Sequence, residues 1–581
     1  VEIPKFWENG FWTLRRTLSE RQFLLALSVI IGLAAGSASI LLKAFVFGIH
    51  SRTGPLLGIG PGSLFMALLP LCGMLLTVFL IRWLWPDAFR KGLRPVLESI
   101  RRAGGKLPVS QTYNHIVTAG ITVGFGGSAG LESPIVSTGA ALGSRLAEWL
   151  RVRTRDRVLL LTCGIAAGVS ASFNAPIAGV LFAAEVFLTE LSISALIPVI
   201  LSSATGALLS KIVLNESLLL HFEMQEPFQS VNLPFYLFLG LLTGLLSLWF
   251  VRVFHSVSSL LQTISNPYRR ALTAGALLGL LVLFFPALFG EGYQSIKDLA
   301  TFHTYRLFDG SLLGNFINRK TWFFIAAVFL TGILKALATS LTLGGGGNGG
   351  QFAPSLFIGA NTGFAFAMAC HKLGFNSVSV SNFTIVGMAG VLTGVFYAPM
   401  TGIFLIAELT GGYDLMIPLM LVSALSYSVV RRFQPVSPEY QLSRQGPSGL
   451  ANVWLQPAGR MMETDYDSLH PGMDLEEFTA ILQASPHNTF PVVDPHQNLL
   501  GILVFSKVKE PVLQRDPGLK VRHLMSPPGE TIAIDDSIPV ILEKFDRTQA
   551  FRLPVVQDGR YLGFLTRAAL LREFRDAKPV S

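Results

Sequence analysis

Charge is scarce in this chain. Asp, Glu, Lys and Arg make up 14% of its 581 residues, against 51% hydrophobic, a proportion that excludes a protein solvated on every face. Cysteine is scarcer still: Cys72, Cys163 and Cys370 all lie in apolar segments without metal-ligand spacing. They are expected to be packed thiols, and a disulfide framework is excluded. No Ser-His-Asp arrangement and no metal-binding His/Glu spacing stands out. The run GGGGNGG (344–350) lacks the Lys-Ser/Thr ending of a phosphate loop, so an enzyme reading and a resident metal have little support. The net charge of +9 is scattered between apolar stretches and forms no stripe with interleaved aromatics, which argues against a nucleic-acid partner.

Long apolar runs take the place of charge. Residues 23–49, 63–81, 157–187, 193–213, 233–254, 271–289, 322–342 and 383–409 are mostly long enough to cross a hydrocarbon layer of roughly 30 Å. A multi-pass membrane protein is the expectation. Residues 1–20 hold Arg15 and Arg16 and no small-residue cleavage site, so the first run is expected to be a retained helix. Arg15, Arg16 and Arg21 ahead of it, and the basic residues between 82 and 106, place the amino terminus in the cytoplasm.

The apolar part repeats itself. GIAAGVSASFNAPIAGVLFAAE (164–185) falls without a gap on GMAGVLTGVFYAPMTGIFLIAE (387–408). Upstream, GGSAGLESPIVSTGAALG (126–143) falls on GGNGGQFAPSLFIGANTG (346–363), residue 126 meeting 346 at an offset of 220. Two ordered matches imply duplicated halves, about 25–215 and 235–430. Folds built from such halves place the ion site between them, on discontinuous helices. The glycine-rich segments are the expected breaks, because non-helical backbone at membrane depth must be buried or line a wet cavity. Each ends in a proline four residues beyond its last glycine, a residue suited to a first helical turn.

Each loop therefore launches a helix whose amino end points into the membrane. Two such ends at one point attract an anion through free N–H groups and partial positive charge, and release it more readily than a full cation does. Glu132 of the first loop aligns with Phe352 of the second. An ionised Glu132 competes with a permeant anion for the same donors, and protonation releases it, which makes a gate. A buried structural hydrogen-bonding role is the alternative. For the repeat-equivalent Glu185 and Glu408 a structural role is at least as good a reading, and the Phe352 ring alone reads as packing.

These residues together resemble the CLC family of chloride channels and chloride/proton antiporters. The resemblance is carried by GLESP (130–134), GGQFAP (349–354), FNAPIAGVLFAAE (173–185) and Tyr440. It implies a homodimer with a pore in each subunit. It further implies that Glu132 is the external gating glutamate, and that Gly130, Leu131, Gln351, Phe352 and Tyr440 form the site of a bound chloride. Two departures bear on function. Where the family has Gly-Ser-Gly-Ile-Pro the chain reads RKGLRP (90–95), without the serine that contacts the anion. Many antiporters follow the position of Glu185 with a second, proton-carrying glutamate; here it is Val186, which tilts the reading to a channel.

The carboxyl-terminal region holds a second duplication, TFPVVDPHQNLLGILVFSKV (489–508) and RLPVVQDGRYLGFLTRAAL (552–570), which resembles a pair of CBS domains. Such a pair can hold an adenine nucleotide. Binding versions carry Ser or Thr and, three residues on, Asp; this chain has Val504 with Lys507, and Thr566 with Ala569. A coupling module without nucleotide is the favoured expectation. The fold class is thus an all-α polytopic membrane protein with two inverted repeats and broken helices, plus an α/β CBS pair. The expected divisions are an amino-terminal segment 1–22, a transmembrane domain 23–430, a linker 431–456, and CBS repeats 457–513 and 518–577. The expected function is passive conduction of chloride or a similar small anion, gated by Glu132. The location is the cell's inner or plasma membrane, with the CBS pair in the cytoplasm. A proton-coupled chloride antiporter is the alternative, and a cation-coupled carrier or membrane sensor a weaker one.

Overall fold

The computed structural model describes residues 18–56, 64–86, 89–187, 193–214, 227–304, 307–308, 311, 322–434, 459, 461–506, 508, 518–536 and 538–576. Most of the expected amino-terminal segment, the linker beyond Gln434, Lys507 and Tyr440 lie outside the described residues. The chain divides into two compact units, Val1–Tyr440 and Gln441–Ser581.

The first unit is helical. Its first eight helices are α1 (Glu20–Leu56), α2 (Leu64–Leu84), α3 (Arg94–Arg102), α4 (Asn114–Gly124), α5 (Glu132–Trp149), α6 (Thr154–Phe173), α7 (Pro176–Phe187) and α8 (Ile193–Leu214). Eight more follow: α9 (Leu233–Gln262), α10 (Pro267–Phe284), α11 (Tyr293–Ala300), α12 (Trp322–Gly345), α13 (Phe352–Lys372), α14 (Val380–Phe396), α15 (Pro399–Leu409) and α16 (Met416–Phe433). Among the described residues nine helices are long and apolar enough to cross a membrane. Trp83, Ile212 and Phe238 stand more than six-tenths exposed on them, which is the surface hydrocarbon solvates.

Neighbours recur between the halves. Helix α5 packs on α6, α1 on α8 and α2 on α4; correspondingly α13 packs on α14, α9 on α16 and α10 on α12. The aligned glycines are the reason the paired helices come so close. A Cβ on Gly139 would overlap the Gly164 carbonyl, and one on Gly359 would overlap that of Gly387. Hydrogen bonds repeat as well. The Ser128 N–H donates to Thr342 Oγ1 and the Asn348 N–H to Thr122 Oγ1, both at 3.0 Å.

Two apolar runs differ from their sequence reading. Residues 157–187 and 383–409 are each two helices, because Asn174 (φ 54) and Tyr397 (φ 58) take the left-handed conformation that ends a helix. The Ala-Pro that follows starts the next one. The span α13 does not read as an apolar run in the sequence, its Asn, Thr and small residues diluting the hydropathy. Cys163 and Cys370 are buried as expected, whereas Cys72 is exposed on α2; an apolar run does not distinguish a core neighbour from lipid.

The second unit contains α17 (Leu475–Ala484), β1 (Thr489–Val493), β2 (Leu499–Val504), α18 (Val521–Leu524), β3 (Ile532–Ala533), α19 (Ile538–Thr548), β4 (Arg552–Gln557), β5 (Arg560–Thr566) and α20 (Arg567–Asp576). Strands β1 and β2 pair antiparallel, as do β4 and β5, with β3 parallel to β4. Each hairpin shifts register within its Val-Val pair, at Val492/Val493 and Val555/Val556, so the repeat extends to its irregularities. The hairpins join through Leu499 N–H to Gly559 O (3.1 Å) and Tyr561 N–H to Gln497 O (2.9 Å).

Candidate anion site and gate

The two glycine-rich loops meet. Gly130 and Gly350, equivalent in the repeat, form an antiparallel bridge in which each N–H donates to the other's carbonyl, at 2.9 and 2.7 Å. A side chain on either glycine would push the strands apart: a Cβ on Gly350 would lie 3.0 Å from Ser133 Cβ. Immediately beyond the bridge, α5 and α13 begin at Glu132 and Phe352, with Leu131 and Gln351 as N-caps that make no side-chain capping bond. The first-turn N–H groups of both helices are therefore left for another acceptor.

Glu132 occupies that place. It is buried, and its Oε1 accepts a hydrogen bond from the Tyr293 hydroxyl. The carboxylate lies near the N–H groups of Glu132 itself and of Ala353 on the opposite helix, and its Oε2 has no partner in full hydrogen-bond geometry. Gly130 makes room for this fold-back, since a Cβ there would collide with Oε2 and sit 3.0 Å from Ala353 N. Leu131 is buried beside it against Leu42, Val46 and Ile135. The Phe352 ring packs among Phe173, Phe182 and Phe396, with centroids 5.3, 5.8 and 5.4 Å away. The ring thus belongs to an aromatic core, and the residue's backbone stands at the start of α13. Gln351 is half-buried at its helix start.

Turns ahead of α3 and α11 brace the loops from the opposite half. Lys91 donates to the carbonyls of Gly346 and Gly347, the latter at 2.9 Å, so the residue beside the missing serine is tied to the second loop. In the counterpart turn, Gly290 N–H donates to Gly126 O at 3.0 Å, and Lys335 Nζ to Gly290 O at 2.8 Å. Gly92 and Gly292 both take positive φ, 79° and 91°.

A cavity of about 460 Å³ adjoins Glu132, lined by Lys43, His50, Lys211, Glu291 and Tyr293 among others. Lys43 Nζ donates to the carbonyls of Ala171, at 3.2 Å, and Ser172, ending α6. Sequence reasoning missed Lys43, Glu291 and Tyr293. For Lys43 a signal existed, a lone lysine within an apolar run; for the GEGY turn none did, because nothing linear ties it to Glu132. The helix ends thus do not stand alone, since the amine of Lys43 lines the adjoining cavity.

Glu185 and Glu408 each reach across to the other half. Glu185 accepts from the N–H groups of Met400 (2.9 Å) and Thr401 (2.8 Å) and from the Thr401 hydroxyl (2.7 Å). Glu408 accepts from Ile177 N–H (2.9 Å) and Ala178 N–H (2.8 Å). Each carboxylate therefore caps the start of the other half's short helix. Val186, next to Glu185, packs against the apolar core.

In the second unit the Thr566 hydroxyl accepts from Ala569 N–H at 3.0 Å and contacts Glu463 Oε1 at 3.3 Å. Tyr466 stacks on His487, with centroids 4.0 Å apart. Position 569 has no carboxylate for a ribose diol, and the one hydroxyl of the pattern is engaged within the fold.

Comparison with known proteins agrees with this architecture. Residues 72–431 match the family model described as voltage gated chloride channel, and residues 521–576 match the CBS domain. A putative chloride channel protein ClcB-like of Ralstonia nicotianae is 28% identical over 62% of this chain and 81% of its own length. An H(+)/Cl(-) exchange transporter ClcA of Yersinia pestis is 30% identical over 55% of this chain, which spans 64% of that relative's length, a little under two thirds. Among solved structures, a slow cyanobacterial Cl-/H+ antiporter has a TM-score of 0.62 at 22% identity, covering 74% of this chain and 98% of its own. A eukaryotic CLC transporter has 0.62 at 20% identity, covering 96% and 98%. With more than half its length matched by the family model, this multi-pass membrane chain belongs to the CLC family and carries a CBS pair at its carboxyl end.

Proposed function

We propose that this protein moves chloride or a similar small anion across the membrane, and that Glu132 is the protonatable gate of the pathway. One observation carries the reading: the buried Glu132 carboxylate lies at the paired starts of α5 and α13, beside first-turn N–H groups that no cap takes. An anion arriving there replaces one negative charge by another, so the exchange costs little electrostatically once Glu132 is neutral. The backbone N–H groups of Glu132 and of residues 351–353 supply the donors, the Gly130 N–H being taken by its bridge to Gly350, and weak dipolar binding suits rapid release. Tyr440 is the proposed contact from the inner side. With the amino terminus in the cytoplasm, the far end of α1, where His50 lines the cavity, faces outward, so Glu132 meets its protons from outside. The assembly is a homodimer with one pathway per subunit in the inner or plasma membrane, and the CBS pair is a cytoplasmic coupling module.

Passive flow is the first reading, because position 186 is valine and the neighbouring Glu185 carboxylate is held as a helix cap. Proton-coupled exchange is the second, favoured by the ionisable cavity at Glu132 and by relatives named as H(+)/Cl(-) exchangers. Reversal potentials of the reconstituted protein separate them. A potential that follows chloride alone supports the channel, and a shift with pH at constant chloride supports exchange. Glu132→Gln is expected to keep or raise anion flux while removing its pH dependence; a folded variant without flux overturns the gate.

A further inference from the structure

We infer that Glu291 is a second proton-carrying carboxylate, the station from which a proton in the adjoining cavity reaches Glu132; this rests on Glu132 being the protonatable gate. The turn that carries Glu291 has no freedom to place it elsewhere. Gly290 is bonded through its N–H to Gly126 and through its carbonyl to Lys335. Gly292 is packed so closely that a Cβ there would lie 3.0 Å from one atom of the Phe357 ring and nearer still to another. Only the side chain of residue 291 is left, and it lines the same cavity as Glu132. It also interacts with the N–H of Leu131, at the start of α5.

The groups around it are Lys43 and His50 of α1, Glu132 of α5, Lys211 of α8, Lys335 of α12 and Tyr293 on its own turn. Lys43 and Lys335 both lie close enough to act on its charge, but their hydrogen bonds go to backbone, Lys43 donating to the carbonyls of Ala171 and Ser172 and Lys335 to those of Leu288 and Gly290. Two carboxylates in one low-dielectric cavity hold a proton between them more readily than either does alone. A volume of about 460 Å³ has room for bridging water between polar walls.

The transfer balances. Glu291–COO⁻ takes a proton from a hydronium ion that enters the cavity from the acidified side, leaving water and the neutral acid. It then passes that proton through cavity water to Glu132, so that Glu291–COOH and Glu132–COO⁻ become Glu291–COO⁻ and Glu132–COOH. The receiving atom is Oε2, the oxygen left without a full partner while Tyr293 occupies Oε1. Glu132, neutral, leaves the helix starts and an anion takes its place.

The test uses the full chain reconstituted in liposomes, with Glu291→Gln, Glu291→Asp and Glu132→Gln. Infrared difference titration of the wild type is expected to contain two protonating carboxyl bands, one lost in Glu291→Gln and the other in Glu132→Gln. Anion flux after an external pH jump is expected to respond at least about tenfold more slowly in Glu291→Gln, and Glu291→Asp is expected to restore the rate. A single band that Glu291→Gln leaves in place, or a response equally fast in folded Glu291→Gln, overturns the inference. So does equal slowing in Glu291→Gln and a folded Glu291→Asp. If Glu132→Gln itself keeps the full pH response, the gate reading has failed, and this inference with it; if Glu132→Gln abolishes the response while Glu291→Gln is as fast as wild type, only the second station is lost.

Discussion

Replacing Tyr293 by Phe removes one oxygen and leaves the ring, whose edge meets Phe173 with centroids 6.2 Å apart. The oxygen lost is the donor to Glu132 Oε1, and the other carboxylate oxygen has no full partner. The phenol thus makes the strongest side-chain contact that holds the gate shut. A hydrogen bond to a charged group contributes about 1.5–3 kcal/mol. At 1.36 kcal/mol per pH unit that is a displacement of roughly one to two units. The sign follows from which form is bonded: the hydroxyl donates to the ionised, pore-blocking carboxylate, so its loss favours the protonated, released form. Acid activation of anion flux in Tyr293→Phe should therefore have its midpoint about one to two pH units higher than wild type, with higher flux at neutral pH. The assay is chloride efflux from proteoliposomes across a pH series, repeated in the Glu132→Gln background, where the same substitution should have no effect. An unmoved midpoint in a folded Tyr293→Phe protein, or an equal effect with and without Glu132, refutes the latch.

Three other outcomes follow. Gly359→Val should destabilise the unit by about 1–3 kcal/mol or more, because its side chain would enter the Gly387 backbone; a thermal melt in detergent reads this, and an unchanged melting temperature would contradict the close crossing. Glu185→Gln and Glu408→Gln should each lower stability by about 0.5–2 kcal/mol, as lost caps do, while leaving the pH response of flux in place; a stable Glu185→Gln protein with altered pH response would make Glu185 part of the proton route. Calorimetric titration of the full chain with ATP, ADP and AMP should give no binding heat, in keeping with Ala569 and the engaged Thr566 hydroxyl, and measurable heat would overturn that assignment.

The membrane character and the duplication needed no coordinates, because apolar length and residue identity at fixed offsets are linear properties. Glycines 126–143 and 346–363 mark both the breaks and the helices that pack backbone to backbone, and Glu132 stands out as a carboxylate among small residues. The helix breaks at Asn174 and Tyr397 were also written in the chain, in the Ala-Pro pairs that follow them, but an unbroken apolar run masks them until backbone angles are known. Other features depend on distance in space. Gly130 and Gly350 bond across 220 residues of chain, and Glu185 and Glu408 each cap a helix of the opposite half. Tyr293 reaches Glu132 from a turn that the Gly290 N–H ties to Gly126 of the first loop. Local propensity decides which segments are helical and where they stop; hydrogen bonds of a fixed short length between remote segments exist only after packing has chosen their neighbours, and that packing decides which ionisable groups share a cavity with the gate.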